Sequence, residues 1–379
     1  MRHLKIQNFG PLKEAELEIG RLNIIVGPQS SGKSSTLKVA AYCAWLEKRL
    51  ELTQDLSIAS WDNLEEHLLH FYNLEGYFSS STVIEYKTDC VILICRYKSV
   101  SAEWSTKRWN YKRSKIAYIP AERNIVSVVS NWQKMQAADN ILEFMTEWDI
   151  ARKSRSRALN ILNLGVQYSY DKSNNTDNIV LETGVNLALS SASSGLQSLI
   201  PLYVNLNYLN SGQYLAKYRL DNYISKSENS KFYELLLEKY SKGELDERTL
   251  YGGPHDGRLG TSEYTIRGSK LYNNYVSVKN SQIYLEEPEN NLFPPEQVIL
   301  TDWLIEMGNN RFRNNVIFLA THSPYIVNHF LEREKIDYRL FITLPQRSGK
   351  SIVKSVLEED IQKMYDNGVD VFFNYEAYQ

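Results

Sequence analysis

The stretch "GPQSSGKSS" at positions 27–35 carries the clearest chemistry in this 379-residue sequence. Gly27, Pro28, Gln29, Ser30, Ser31, Gly32, Lys33 and Ser34 fill every fixed position of the pattern G-x-x-x-x-G-K-[ST], and Ser35 follows directly. Glycines let backbone N–H groups curl around phosphate oxygens, and a following helix N-terminus adds its dipole. Lys33 is expected to reach the β- and γ-phosphate oxygens, and the Ser34 hydroxyl to ligate Mg²⁺. The apolar run "LNIIV" precedes the loop and a helical pattern follows it, which is the context such a loop requires. A second "SGKS" at Ser348–Ser351 has Leu344 in place of the first glycine, and its setting between two strand patterns reads as a hairpin turn.

Two further sites lie at the ends of apolar strand patterns. "QIYLEEPEN" sets Glu286, Glu287 and Glu289 at such an end. Strand alternation sends Glu286 and Glu287 to opposite sides, so Glu286 is expected to hold the metal and Glu287 to orient or deprotonate an attacking water. Glu289 reads either as a support behind them or as a solvated carboxylate. "FLATHSP" ends a strand pattern in His322, where a parallel α/β sheet binds its ligands. His322 there is placed to bond a terminal phosphate or the water, making Lys33, Glu287 and His322 the catalytic candidates.

"SSASSGLQSL" puts Ser193, Ser194 and Gly195 ahead of an apolar helix pattern, a second phosphate cradle of hydroxyls and N–H groups. One chain rarely needs two triphosphate cradles, so the second is expected to serve the nucleotide of another copy. The alternative is an ordinary helix N-cap with serine repeats.

A net charge of −2 gives no global attraction to nucleic acid or anionic membrane. Any such binding must be local. "KRWNYKRSK", Lys107 to Lys115, interleaves Lys107, Arg108, Lys112, Arg113 and Lys115 with Trp109 and Tyr111; "RKSRSR", Arg152 to Arg157, is a second cluster. These can hold DNA or RNA by stacking and charge, or shield an edge strand, or meet an acidic partner. Cys43, Cys90 and Cys95 are too few and too badly spaced for a zinc site or disulfide framework, and read as buried thiols in a reducing compartment. No run approaches the roughly 20 apolar residues of a membrane span, and the N-terminus does not resemble a signal peptide, so a cytoplasmic, membrane-free protein is expected.

The elements that must position these residues follow from periodicity. "HLKIQNF", "EAELEI" and "RLNIIV" read as three strands, and residues 33 to about 50 as a helix. Polar helix is expected over about 54–75, then antiparallel strands through "IAYIPAER", then helix over about 132–165. A strand, loop and helix span "NIVLETGVNLALSSASSGLQSLIPLYVNL", and the Lys/Glu-rich tract 207–250 reads as a solvated helical insertion. The C-terminal part repeats strand–turn–helix and ends in two strands.

As an ordered set these motifs are recognisable. "LKIQNFGPLKEAELEIGRLNIIVGPQSSGKSSTL" resembles the start of RecF, SMC and OLD-family proteins, the ABC-type group of P-loop ATPases. "YLEEPENNLFPPEQ" looks like the Walker B of the OLD-like branch, "ATHSP" like its switch histidine, and "ASSGLQ" like the signature loop, with Ala192 where leucine is usual and Leu196 where Glu or Gln is common. "YIPAER", with Glu122 and Arg123, is similar to a segment of the stand-alone OLD-like ATPases of anti-phage systems of the Septu and PARIS type. Residues 323–379 are too few for the TOPRIM nuclease domain of OLD proteins, and no long heptad run supplies the arm of a true SMC protein.

The resemblance implies an α/β ABC-ATPase head with a mixed, largely parallel P-loop sheet, an antiparallel β subdomain and helical insertions. Its core would comprise residues 1–50, 180–206 and 255–379, with a β/helical lobe over 51–179. It implies ATP and Mg²⁺ as cofactors, and a head-to-head homodimer or higher oligomer in which Ser193 and Gly195 act on the partner's nucleotide. It further implies control of a separate effector such as a nuclease in anti-phage defence. The alternatives are a RecF-like ATP-gated DNA clamp and a scaffold that binds ATP without hydrolysing it.

Overall fold

The computed structural model of the protein describes residues 2–108, 111–129, 131–214, 277–310, 312–333 and 336–357, with Glu238, Tyr275 and Asp360. Trp109 and nearly all of the 207–250 insertion and of the tract 255–276 lie outside the described residues. Three strands, β1 (Arg2–Phe9), β2 (Leu12–Ile19) and β3 (Leu22–Val26), open the chain, and helix α1 (Lys33–Thr53) follows the loop. Two short helices, α2 (Trp61–Leu64) and a π-helical turn Glu65–His70, lead to β4 (Val83–Lys87), β5 (Val91–Arg96) and β6 (Ser99–Trp104). Then come β7 (Ser114–Ile119), α3 (Ile125–Val128) and α4 (Asp139–Lys153).

Strands β8 (Leu159–Asn160), β9 (Val166–Asp171), β10 (Thr176–Leu181) and β11 (Asn186–Ala188) form a separate antiparallel sheet before α5 (Ser194–Asn210). The C-terminal part supplies β12 (Asn280–Glu286), α6 (Pro294–Asn309), β13 (Val316–Thr321), α7 (Pro324–Glu332), β14 (Tyr338–Pro345) and β15 (Ser351–Val356).

The main sheet runs β6-β5-β4-β1-β2-β15-β14-β3-β13-β12-β7. Its β14-β3-β13-β12-β7 half is parallel, whereas β1, β2, β4, β5 and β6 pair antiparallel with one another. The fold is therefore α/β, with the expected mixed sheet and an additional antiparallel sheet. One strand departs from expectation. β7 was placed by its neighbours among antiparallel strands, yet it pairs parallel with β12 from Asn280↔Ser114 to Leu285↔Ile119. A short alternating run looks alike in either direction, so only the pairing partner decides it.

Alternation on the central strands sorts two cores to the two faces of the sheet. Leu22, Ile24 and Val26 of β3 join Ile317 and Leu319 of β13 and pack with Phe144 and Trp148 of α4, Leu199 of α5, Leu300 of α6 and Ile326 of α7. Ile25, Phe318 and Ala320 face the other way, onto Leu37, Ala40, Ala41 and Ala44 of α1. With both faces covered, β3, β12 and β13 are buried at every position, which explains the apolar residues "IIV", "IYL" and "VIFLA" that run along them without alternation. The three cysteines are buried and free, the structural role expected of them.

Candidate functional site

The register of three parallel strands brings the sequence motifs together at the carboxyl ends of those strands. Val26 lies opposite Thr321, and Ala320 opposite Glu286. The loop after β3, the acidic turn after β12 and the histidine after β13 therefore leave the sheet side by side.

Loop geometry depends on residues far away in sequence. Gly27 has φ 145°, and a Cβ there would lie 1.9 Å from Thr343 Oγ1 on the neighbouring β14, so only glycine fits. Thr343 Oγ1 in turn bonds Ser31 Oγ at 2.5 Å and donates to the Val26 carbonyl at 3.1 Å. Ser31 also donates to the Pro28 carbonyl at 2.7 Å, closing the loop. Gly32, at φ 92°, is the N-cap of α1 and has no side-chain cap, so the first N–H groups of that helix point into the loop without an internal acceptor. Gln29, Ser30 and Ser34 are exposed; Ser31, Lys33 and Ser35 are buried.

Lys33 Nζ donates to the carbonyls of Gly27 at 2.9 Å and Pro28 at 2.6 Å, folded over the loop mouth. Burial draws its ammonium down to about 8, against the pull of Glu287, Glu289 and Glu286. A cation held over an uncapped helix N-terminus is an arrangement suited to an anion such as phosphate.

The acidic turn differs from the alternation expected of it. Glu286 ends β12 buried, and its Oε1 has no hydrogen-bond partner, an orphaned oxygen that a hard cation would satisfy. Glu287 leaves the strand geometry altogether at φ 41°, with its N–H on the Ala320 carbonyl at 2.8 Å. The left-handed turn, rather than strand alternation, turns its side chain outward. Its Oε1 comes within 3.6 Å of His322 Nε2. Among the described residues no cluster of three or more His, Cys, Asp or Glu could hold a metal by itself. One buried carboxylate with the exposed Ser34 hydroxyl matches Mg²⁺, which draws its remaining oxygens from phosphate and water.

His322 is held from behind by Glu289. Glu289 accepts from the His322 N–H at 2.6 Å and from Thr321 Oγ1 at 2.9 Å. Of the two readings of Glu289, these bonds match the support behind the site: the carboxylate is half-buried and engaged. Burial and the nearby Lys33 charge lower the His322 imidazole below its usual range, despite a hydrogen bond to the Gly27 backbone. The His322–Glu287 contact is therefore that of a neutral ring with a carboxylate, and not an ion pair.

Ser193 is the N-cap of α5 and accepts the Leu196 N–H at 3.5 Å, as an ordinary cap would. Its O–H remains a donor, and both Ser193 and Ser194 are exposed. Gly195 packs on the turn: a Cβ there would meet the Asn291 carbonyl oxygen at 3.0 Å. Asn291 Nδ2 also donates to Ser198 Oγ at 2.8 Å, so the serine-glycine helix rests against the acidic turn.

The basic runs are largely engaged within the molecule. Arg108 stacks on Trp104 at 3.7 Å and bonds Gln54. Arg113 is buried, and Lys115 pairs with Glu147 at 2.6 Å. Tyr111 packs 5.6 Å from the Tyr275 ring. Arg152 is buried between Asp149 and Asp177, Lys153 pairs with Asp149, and Arg155 donates to Asn207. Lys107, Lys112 and Arg157 remain exposed. Among the described residues of the two runs, internal carboxylates, side-chain amides and rings engage most of the cations. No described helix is long and apolar enough to cross a membrane.

No protein-family model and no curated protein matches the sequence. Among solved structures, the SMC head domain from Thermotoga maritima is 10% identical at TM-score 0.41, covering 94% of this chain and 100% of that one. A Pyrococcus furiosus Smc head domain with an extended coiled coil, bound to the C-terminal domain of ScpA, is 10% identical at TM-score 0.42, with 97% and 99% covered. An SmcHead bound to the C-winged helix domain of ScpA gives 10%, 0.41, 94% and 98%. Likenesses this distant leave the chemical reading to the residues of the site.

Proposed function

We propose that this protein is an ABC-type P-loop ATPase that binds ATP with Mg²⁺, hydrolyses it, and pairs with a second copy around the nucleotide. The observation that carries this reading is the convergence of Lys33, Glu286, Glu287 and His322 at the carboxyl ends of adjacent strands through the β3-β13-β12 register. Bound ATP would bring the scissile phosphoanhydride, with Mg²⁺ offsetting its charge. The loop N–H groups and Lys33 would hold the phosphates, and Ser34 and Glu286 would hold the metal. Glu287 would orient a water and take its proton, with His322 beside it at the mouth of the loop. Placement in line costs the protein little motion, because Glu289 and Thr343 already brace His322 and the loop.

Ser193 and Gly195 would cover the nucleotide of the partner copy, as the resemblance implies. The same resemblance, through "YIPAER", supports control of a separate effector, a nuclease in anti-phage defence. The test is phosphate release and ATP affinity for the wild type and Lys33→Ala. Normal affinity in Lys33→Ala would reject the loop assignment. Co-purification with a nuclease, or its failure, decides the effector reading independently.

A further inference from the structure

Arg123 is a fully buried charged group with no part in the chemistry above. It sits in the turn Ala121–Asn124 that follows β7, at the edge of the parallel half-sheet. Among the described residues its guanidinium pairs with no carboxylate; its bonds all go to backbone carbonyls. Nη1 donates to Glu286 O at 2.9 Å and to Pro120 O at 3.4 Å. Nη2 donates to Glu287 O at 2.7 Å and to Pro288 O at 3.2 Å. Nε has no partner.

Burying an arginine without an ion pair is costly, so its geometry must return something. What it returns is a grip on three consecutive carbonyls at the point where β12 loses its sheet neighbours. The planar fork spreads these donors over two nitrogens in fixed directions, a geometry that the single nitrogen of an ammonium does not reproduce. Glu287 needs that grip, because its φ of 41° is unfavourable for a residue with a side chain. Its N–H is fixed to Ala320 O at 2.8 Å, and its carbonyl takes both Arg123 and the Asn290 N–H at 2.9 Å. A second tie repeats the link, from Asn290 Nδ2 to Ala121 O at 3.0 Å. The surrounding carboxylates of Glu289, Glu287 and Glu286 favour the charged guanidinium, while burial opposes it.

The segment carrying Arg123 also touches the serine-glycine helix, through Ser127 Oγ on the Gln197 carbonyl at 2.9 Å. It thus bridges the acidic turn and α5.

We infer that Arg123 is a positioning residue: its fork locks the 286–288 backbone so that the Glu287 carboxylate stays beside His322, and it thereby sets turnover without touching nucleotide. This rests on the reading of Glu287 as the group that handles the water. The experiment measures kcat, KM and ATP affinity for Arg123→Lys, Asn290→Ala and Glu287→Gln, and for Arg123→Lys combined with Glu287→Gln. Arg123→Lys is expected to lower kcat roughly 10- to 100-fold with ATP affinity within about twofold. Asn290→Ala, a milder cut of the same link, should lower kcat about threefold to tenfold. Adding Arg123→Lys to Glu287→Gln should cost no further rate, because both act through one carboxylate.

A merely structural arginine would instead lower affinity along with rate, and its cost would multiply with that of Glu287→Gln. Either result overturns the inference, as does unchanged kcat in both Arg123→Lys and Asn290→Ala. Should Arg123→Lys not fold, Asn290→Ala alone decides. If Glu287→Gln itself turns over normally, the functional reading fails first, and the two failures are distinguishable.

Discussion

His322 Nε2 stands 3.6 Å from Glu287 Oε1, with the imidazole held neutral by burial and by the Lys33 charge. The folded pKa lies below the unfolded one near 6.5, so the folded state binds fewer protons as pH falls through this range. The neutral ring, and the stability it carries, are therefore present above the unfolded value and lost on acidification. Turnover should still hold at pH 6.5 and fall only on further acidification, where the folded ring takes up its proton. His322→Ala should lower kcat about 10- to 100-fold and remove that acidic limb, as measured by phosphate release across pH.

Lys33 gives the opposite limb. Its ammonium titrates near 8 in the free protein, and phosphates would raise that value by their charge. Binding then takes up a proton above pH 8, so ATP affinity should weaken by up to about tenfold per pH unit there. Titration calorimetry at several pH values checks this. Lys33→Arg, charged throughout, should flatten the slope.

Two glycines at positive φ should behave differently. Gly27→Ala places a methyl 1.9 Å from Thr343 Oγ1 and should abolish ATP binding. Gly349→Ala, in the β14–β15 turn at φ 78° with open space around it, meets only backbone strain. It should cost about 1 kcal/mol of stability and leave ATP affinity unchanged, as thermal melts and affinity measurements would read.

The cradle at Ser193 and Gly195 predicts complementation. Ser193→Glu puts a carboxylate where a partner's phosphates would lie, while suiting the helix N-terminus of α5. Alone, Ser193→Glu and Lys33→Ala should both be inactive. Mixed, random pairing puts about half the dimers in the hybrid form with one intact site of two, so about a quarter of wild-type turnover should return. A cradle acting within its own chain would give no recovery.

Local grammar made part of this site readable. The loop between β3 and α1 is contiguous, and its glycines, lysine and serine declare their chemistry by spacing alone. Glu286, Glu287 and His322 follow apolar runs that could only be buried strands. What stayed hidden depends on pairing across the fold. Thr343 braces Gly27 from the other end of the chain, and no pattern in "FITLP" marks it. Arg123 was visible as the charged end of "YIPAER", but the three consecutive carbonyls it grips lie at and just past the end of β12, a strand whose alignment with β7 the sequence does not state. The basic runs turn on the same point: Arg113 and Arg152 look like surface charges in sequence, and the fold buries them.

The central claim is that Glu287 handles the water in ATP hydrolysis. Glu287→Gln keeps the size and turn geometry of the residue and removes its basicity. Phosphate release and ATP affinity measured on one preparation should show kcat down by about 10²- to 10⁴-fold with affinity retained. Turnover within twofold of the wild type, at unchanged affinity, would contradict the account.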